Sequence, residues 1–167
     1  MAKVNIASLQ AVVDNIDTIK RNEYNLISIR DTSPSSVTEA QYAMIDNAGL
    51  QNLLVVNFDD LVSPLPADSM YRERPPNEED IRTILEWSKQ KMQENNSNFI
   101  IQCTGGISRS SAVAILVRYL QDPEKAIKVI NPILHRPNEK VLEIGEKLLK
   151  VEGIKDQTKE ILKKHDE

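Results

Sequence analysis

The chain has 167 residues, a formal net charge of −4, 40% hydrophobic and 28% charged residues, and a single cysteine. That length suits one domain with a real core, and the slight acidity gives no overall attraction to nucleic acid or anionic membrane, so anion binding must rest on local charge. One cysteine cannot close an internal disulfide, there is no run of about 18 apolar residues, and the start MAKVNIASLQ lacks a signal-peptide stretch; a cytoplasmic enzyme or binding domain is expected.

Val4–Ala7 reads as a first buried strand, followed by Leu9, Val12, Val13 and Ile16 at helical spacing. Asn25–Ile29 reads as the second strand, and Thr32–Ser36 (TSPSS) as a turn that Asp31 caps. Leu53–Phe58 is the third. The stretch behind it, Asp59–Pro76 (DDLVSPLPADSMYRERPP), carries four prolines, and a loop of that length in a compact domain is more often functional than not. Tyr71, Arg72 and Arg74 within it read as a solvated surface, with the rim of a pocket as the alternative.

Asn77–Glu94 has a helical apolar pattern, a cap at Asn77 and acidic charge at its positive end; Trp87 on it reads as a packing residue. Asn98–Gln102 is the fourth strand. Beyond Arg109 the pattern is helical only: Ser110–Leu120, Pro123–Ile133, Asn138–Val151 and Ile154–Lys164, with Pro123 and Asn138 as helix-start residues. Arg118 reads as structural, and Arg136-Pro-Asn138 as a helix-start device. The expected fold is α/β: a central, mainly parallel four-stranded sheet flanked by helices, with a helical C-terminal half. Residues 1–151 form the expected domain and 152–167 a C-terminal helix or tail.

The sole cysteine stands in FIIQCTGGISRSSAV, where a strand runs into a helix. Successive backbone N–H groups in such a turn can form an anion nest, and the next helix aims its positive end at the same point. Gly105 and Gly106 permit the positive φ angles that this needs. Arg109 offers a planar fork of donors for two phosphate oxygens. A thiol in that field loses its proton more readily than a free one and becomes nucleophilic towards phosphorus.

The stretch Cys103-Thr-Gly-Gly-Ile-Ser-Arg-Ser110 fits C-x5-R and the fuller CxxGxxR[ST] form, and so resembles the signature of the cysteine-dependent protein tyrosine phosphatase superfamily, in its dual-specificity branch. Leu26-Ile-Ser-Ile, Asn57-Phe-Asp-Asp and Arg136-Pro-Asn extend the likeness to a compact microbial member over about residues 3 to 150. The resemblance implies hydrolysis of phosphate monoesters, phosphotyrosine or a dual-specificity phosphoprotein, through a cysteinyl-phosphate on Cys103. Thr104, Gly105, Gly106, Ile107, Ser108 and Arg109 would hold the phosphate, and Ser110 would hydrogen-bond the departing sulfur. An Asp from another loop would protonate the leaving oxygen. Asp59 and Asp60 both follow the third strand and reach the carboxyl edge of the sheet; the family pattern favours Asp60, then Asp59, then Asp68.

One position departs from the pattern: Gln102 stands where most relatives have His. Its amide can donate hydrogen bonds but brings no charge, which would slow the enzyme or leave a pseudophosphatase that binds phosphorylated ligands without turnover. Sulfur transfer or redox sensing at Cys103 is the reading from another class; the Gly-x-x-Arg-Ser pattern and the lack of a resolving cysteine speak against it. His135 and His165 lie far apart in sequence, so neither metal nor cofactor is expected. The expected partner is a phosphorylated protein or small phosphate monoester, with no nucleic acid and no membrane.

Overall fold

Short β-branched runs and helices alternate through the first hundred residues, and the computed structural model, which describes residues 2–94 and 96–167, assembles them into one sheet between two helical layers. The strands are β1 (Lys3–Ser8), β2 (Asn25–Arg30), β3 (Leu53–Asn57) and β4 (Asn98–Cys103). They lie in the order β1-β4-β2-β3, and every pairing is parallel. All four therefore deliver their following loops to one edge.

β4 is central and covered on both faces, which is why it reads as an almost unbroken apolar run. Its side chains alternate between the layers. Phe99, Ile101 and Cys103 join Ile27 and Ile29 under α4 (Glu78–Gln93), α5 (Arg109–Gln121) and α6 (Glu139–Leu149). Ile100 instead joins Leu26 under α1 (Leu9–Asp14), α2 (Ile16–Arg21) and α3 (Ser36–Asp46). α5 is buried from Arg109 through Val117, as a helix enclosed on nearly all sides must be. Gly145 lets α6 approach it, because a Cβ there would lie 2.4 Å from Leu116 Cδ2. α7 (Ile154–Asp166) packs on α6 and sends Ile154 into the main core.

Three segments differ from the sequence expectation. The helix begun at Leu9 breaks at Asn15 into α1 and α2. α3 was not expected at all: only Tyr42 and Ile45 of its eleven residues are buried, too few to mark a stripe, although Ser35 caps it by accepting from Thr38 N–H. Pro123–Ile133 is not a helix but two single 3-10 turns, Pro123–Lys125 and Ile127–Val129, before irregular chain. Asp122 caps the first turn, and only Ala126 and Ile130 of the segment are buried, so no helical face exists to bury. Asn77 and Asp80 form a full capping box on α4, as the acidic start suggested. Among the described residues no helix is long and apolar enough to cross a membrane.

Candidate active site

Cys103 closes β4, and five residues separate it from the start of α5 at Arg109. This loop is pinned against the end of β1, where Leu9 N–H donates to Thr104 O at 3.2 Å. Gly106 carries the turn with φ +68°, and a Cβ there would lie 2.7 Å from Ser8 N and 2.8 Å from Ala7 C. Gly105 does not adopt positive φ, contrary to expectation; the Ile107 side chain covers it, with Cδ1 3.5 Å from the place of a Cβ. Backbone cannot swing away as a rotamer can. Gly106→Ala is therefore expected to cost about 1–3 kcal/mol from left-handed strain alone, read as a lower urea midpoint and weaker phosphate protection of Cys103. An unchanged midpoint would show that this contact is slack.

The Cys103 side chain is buried, with Sγ 3.1 Å from Ser110 Oγ. Arg109 is equally buried: Nη1 donates to Phe58 O at 2.8 Å, and Nη2 meets Asp31 Oδ1 at 2.8 Å and Thr104 Oγ1 at 3.3 Å. Its Nε–H is buried with no partner among the described residues. Asp31 also accepts from Thr104 Oγ1 at 3.0 Å, and its backbone N–H donates to Tyr42 Oη at 3.0 Å. Turn capping thus understates Asp31, which orients the guanidinium. Local sequence shows little sign of this, because the pair exists only through β2 lying beside β4.

The two acid candidates separate by environment. Asp59 is buried and takes hydrogen bonds from Thr32 N (3.0 Å), Thr32 Oγ1 and Arg74 N (2.8 Å). It fastens the Pro-rich loop back onto β2. Arg74 completes that clasp with a two-pronged bond to Asp80 at 2.7 and 2.9 Å and a bond to Asn57 O. The Asp80 carboxylate holds the Arg74 pKa above its ordinary value, and the bonds to Asp80 and Asn57 O tie the guanidinium into the loop. Asp60 is exposed and hangs over the cysteine loop: its Oδ1 accepts from Ser108 Oγ at 2.7 Å and Asn138 Nδ2 at 2.9 Å. Asn138 also caps α6 through Val141 N–H, so the helix-start device doubles as a brace for Asp60. Asp68 is exposed at the far end of the loop, as are Tyr71 and Arg72.

Gln102 faces the other side of the sheet from Cys103. Its Oε1 accepts from Ser28 Oγ at 2.5 Å; Ser28 in turn accepts from Arg30 Nε at 3.1 Å, and Arg30 is held by Asp46. Gln102 Nε2 is buried without a partner among the described residues. Gln102→His is expected to move the pH profile of Cys103 alkylation to lower pH, since a ring N–H would replace an amide Nε2–H that has no partner among the described residues. Superimposable profiles would mean that position 102 is neutral.

Exposed apolar side chains lie on the segments around the cysteine loop. Ile107 is 48% exposed, and Val62, Ile133 and Leu134 are more so. Their segments are tied to the cysteine loop or to its brace, through Arg136 N–H to Ile107 O at 3.0 Å and Asn138 Nδ2 to Leu61 O at 3.1 Å. Among the described residues no group of three or more His, Cys, Asp or Glu could hold a metal.

No protein-family model and no curated protein matches the chain. Solved structures do. The human tyrosine phosphatase-like serine/threonine/tyrosine-interacting protein aligns with a TM-score of 0.59 at 14% identity, over 88% of this chain and 91% of that one. PTPMT1 in complex with PI(5)P gives 0.56 at 12% identity over 89% and 90% of the two chains. Human DUSP28 gives 0.54 at 14% identity over 88% and 94%. The chain has the fold found in these tyrosine and dual-specificity phosphatase structures.

Proposed function

We propose that the protein hydrolyses phosphate monoesters, with phosphotyrosine or a dual-specificity phosphoprotein as substrate, through a cysteinyl-phosphate. The observation that carries this reading is the buried Cys103–Ser110–Arg109 cluster, in which the Arg109 Nε–H has no partner among the described residues. A buried guanidinium donor left unpaired costs free energy unless a ligand takes it. A phosphate oxygen seated in the loop would take it.

Cys103 Sγ attacks phosphorus as the thiolate while the bond from phosphorus to the leaving oxygen breaks. Asp60 gives that oxygen its proton. Among the described residues its Oδ2 accepts nothing from the protein, so this oxygen is free to carry it, with Ser108 and Asn138 fixing Oδ1. Loop amides and Arg109 hold the equatorial oxygens, where charge spreads in the transition state. In the second step Asp60 takes a proton from water as its oxygen bonds phosphorus, and Ser110 donates to the sulfur as it leaves. The aliphatic rim of Val62, Ile107 and Ile133 suits an aryl leaving group.

A second reading has one observation in its favour. Nη2 of Arg109 donates to Thr104 Oγ1 and is ion-paired with Asp31, so a phosphate must either displace these neighbours or bind through Nε and the remaining Nη1 hydrogen. A module that binds phosphorylated ligands without turnover could tolerate that. Hydrolysis of a generic aryl phosphate in excess chelator decides between the two: multiple turnovers are expected, whereas phosphate-dependent protection of Cys103 without turnover would favour the binding module.

A further inference from the structure

Beside β4, β1 is an edge strand. β4 pairs with one side of it, and among the described residues no strand covers the other. A groove opens on each face of this edge. One, of about 380 Å³, is lined by Lys3 and Val4 together with Arg118, Lys125 and Lys128. The other, of about 240 Å³, is uncharged and lined by Ala7, Ala11, Val12 and Ile19 together with Asn15 and Thr18. Asn5 borders both.

The first groove gathers four cations and no carboxylate in a chain whose net charge is −4. Arg118 spends one donor on Gln121 Oε1 at 2.6 Å, and the one ion pair among these cations within the described residues is Lys125 to Asp122 at 3.7 Å. Positive potential is therefore concentrated beside open backbone N–H and C=O groups. Lys3 is in register with Asn98 at the start of β4, whereas Cys103 ends that strand; at about 3.3 Å per residue the two ends lie roughly 16 Å apart.

We propose that the open edge of β1 docks an extended acidic segment of a partner protein, which adds as a fifth strand. Successive side chains of a strand point to opposite faces. Carboxylates would enter the cationic groove and small apolar side chains the other, while main-chain bonds to β1 supply register. The matching sequence alternates acidic and small apolar residues. A second copy of this chain fits poorly, since it would bring Lys3 and its neighbouring cations against their own kind. A nucleic acid could meet the cations but offers no peptide backbone to pair with the edge.

The test uses the full chain and a short fluorescent peptide alternating Glu and Val, followed by anisotropy. Three probes accompany it: the same peptide N-methylated at alternate residues, a peptide of the same composition in two blocks, and a DNA duplex. The alternating peptide is expected to bind best. N-methylation, which removes backbone pairing but no charge, and the surface double variant Lys125→Glu/Lys128→Glu should each weaken it by about tenfold or more. The unfolding midpoint of the variant serves as its control, and the N-methylated arm needs no variant at all. Equal binding of the N-methylated or block peptide would reduce the surface to bare charge and overturn strand addition. So would no binding of the alternating peptide, preferential binding of DNA, or self-association that blocks the edge.

Discussion

Cys103→Ser is expected to lower turnover of aryl phosphates by about 10⁴-fold or more while leaving phosphate binding in place. The substitution is nearly isosteric at a side chain that is only 2% exposed, so packing under α5 survives. What is lost is the nucleophile. A serine hydroxyl keeps its proton at neutral pH, and among the described residues the only hydrogen-bond partner of Sγ is Ser110, itself a hydroxyl and no base. Arg109 and the loop amides are untouched, so a competing aryl phosphate or inorganic phosphate should still bind. Full activity in the variant would remove the thiolate from the mechanism. Equal loss of binding and turnover would mean that the cavity had collapsed.

Asp60→Asn should lose about 10²- to 10⁴-fold, the range typical of a positioned acid, on phosphotyrosine and other substrates with poor leaving groups. On a substrate whose leaving group needs little protonation the loss should shrink, so the dependence on leaving-group basicity steepens. Asn keeps one acceptor for Ser108 and Asn138, so the brace at 2.7 and 2.9 Å can remain while the proton is gone. Asp59→Asn should behave otherwise. Its carboxylate accepts three hydrogen bonds from Thr32 and Arg74, and an amide would turn a donor towards one of those donors. About 1–3 kcal/mol of stability should go, seen as a lower unfolding midpoint with the leaving-group dependence unchanged. If the two variants exchange behaviour, Asp59 is the acid. If neither alters the leaving-group dependence, Asp68 is next, or the site binds without catalysis.

The strands were legible because each is short and apolar, and the central pair, β2 and β4, is buried almost throughout, so burial wrote itself into composition. The cysteine loop was legible for a different reason: a tight strand-to-helix turn needs Gly106 at its positive-φ position just ahead of the helix that Arg109 opens, and these can be read in order along the chain. α3 stayed hidden because it buries just Tyr42 and Ile45 and leaves Val37 and Met44 exposed. Pro123–Ile133 misled because a proline at a permitted helix start says nothing of whether a buried face follows. Asp31 and Asn138 escaped as site residues for a reason common to both. Each acts on a partner remote in sequence, Arg109 and Asp60, and strand order with the docking of α6 brings them together. Local pattern carries no record of such pairs.

The central claim is a covalent one, so the most direct measurement is rapid quenching of the wild-type protein during turnover of an aryl phosphate, followed by peptide mapping by mass spectrometry. The account predicts a phosphoryl group on the peptide that carries Cys103, formed within the first turnover, absent from Cys103→Ser and accumulating further in Asp60→Asn when the leaving group is good. Sustained turnover with Cys103 unmodified at every time point, or phosphate found on another residue, would contradict it.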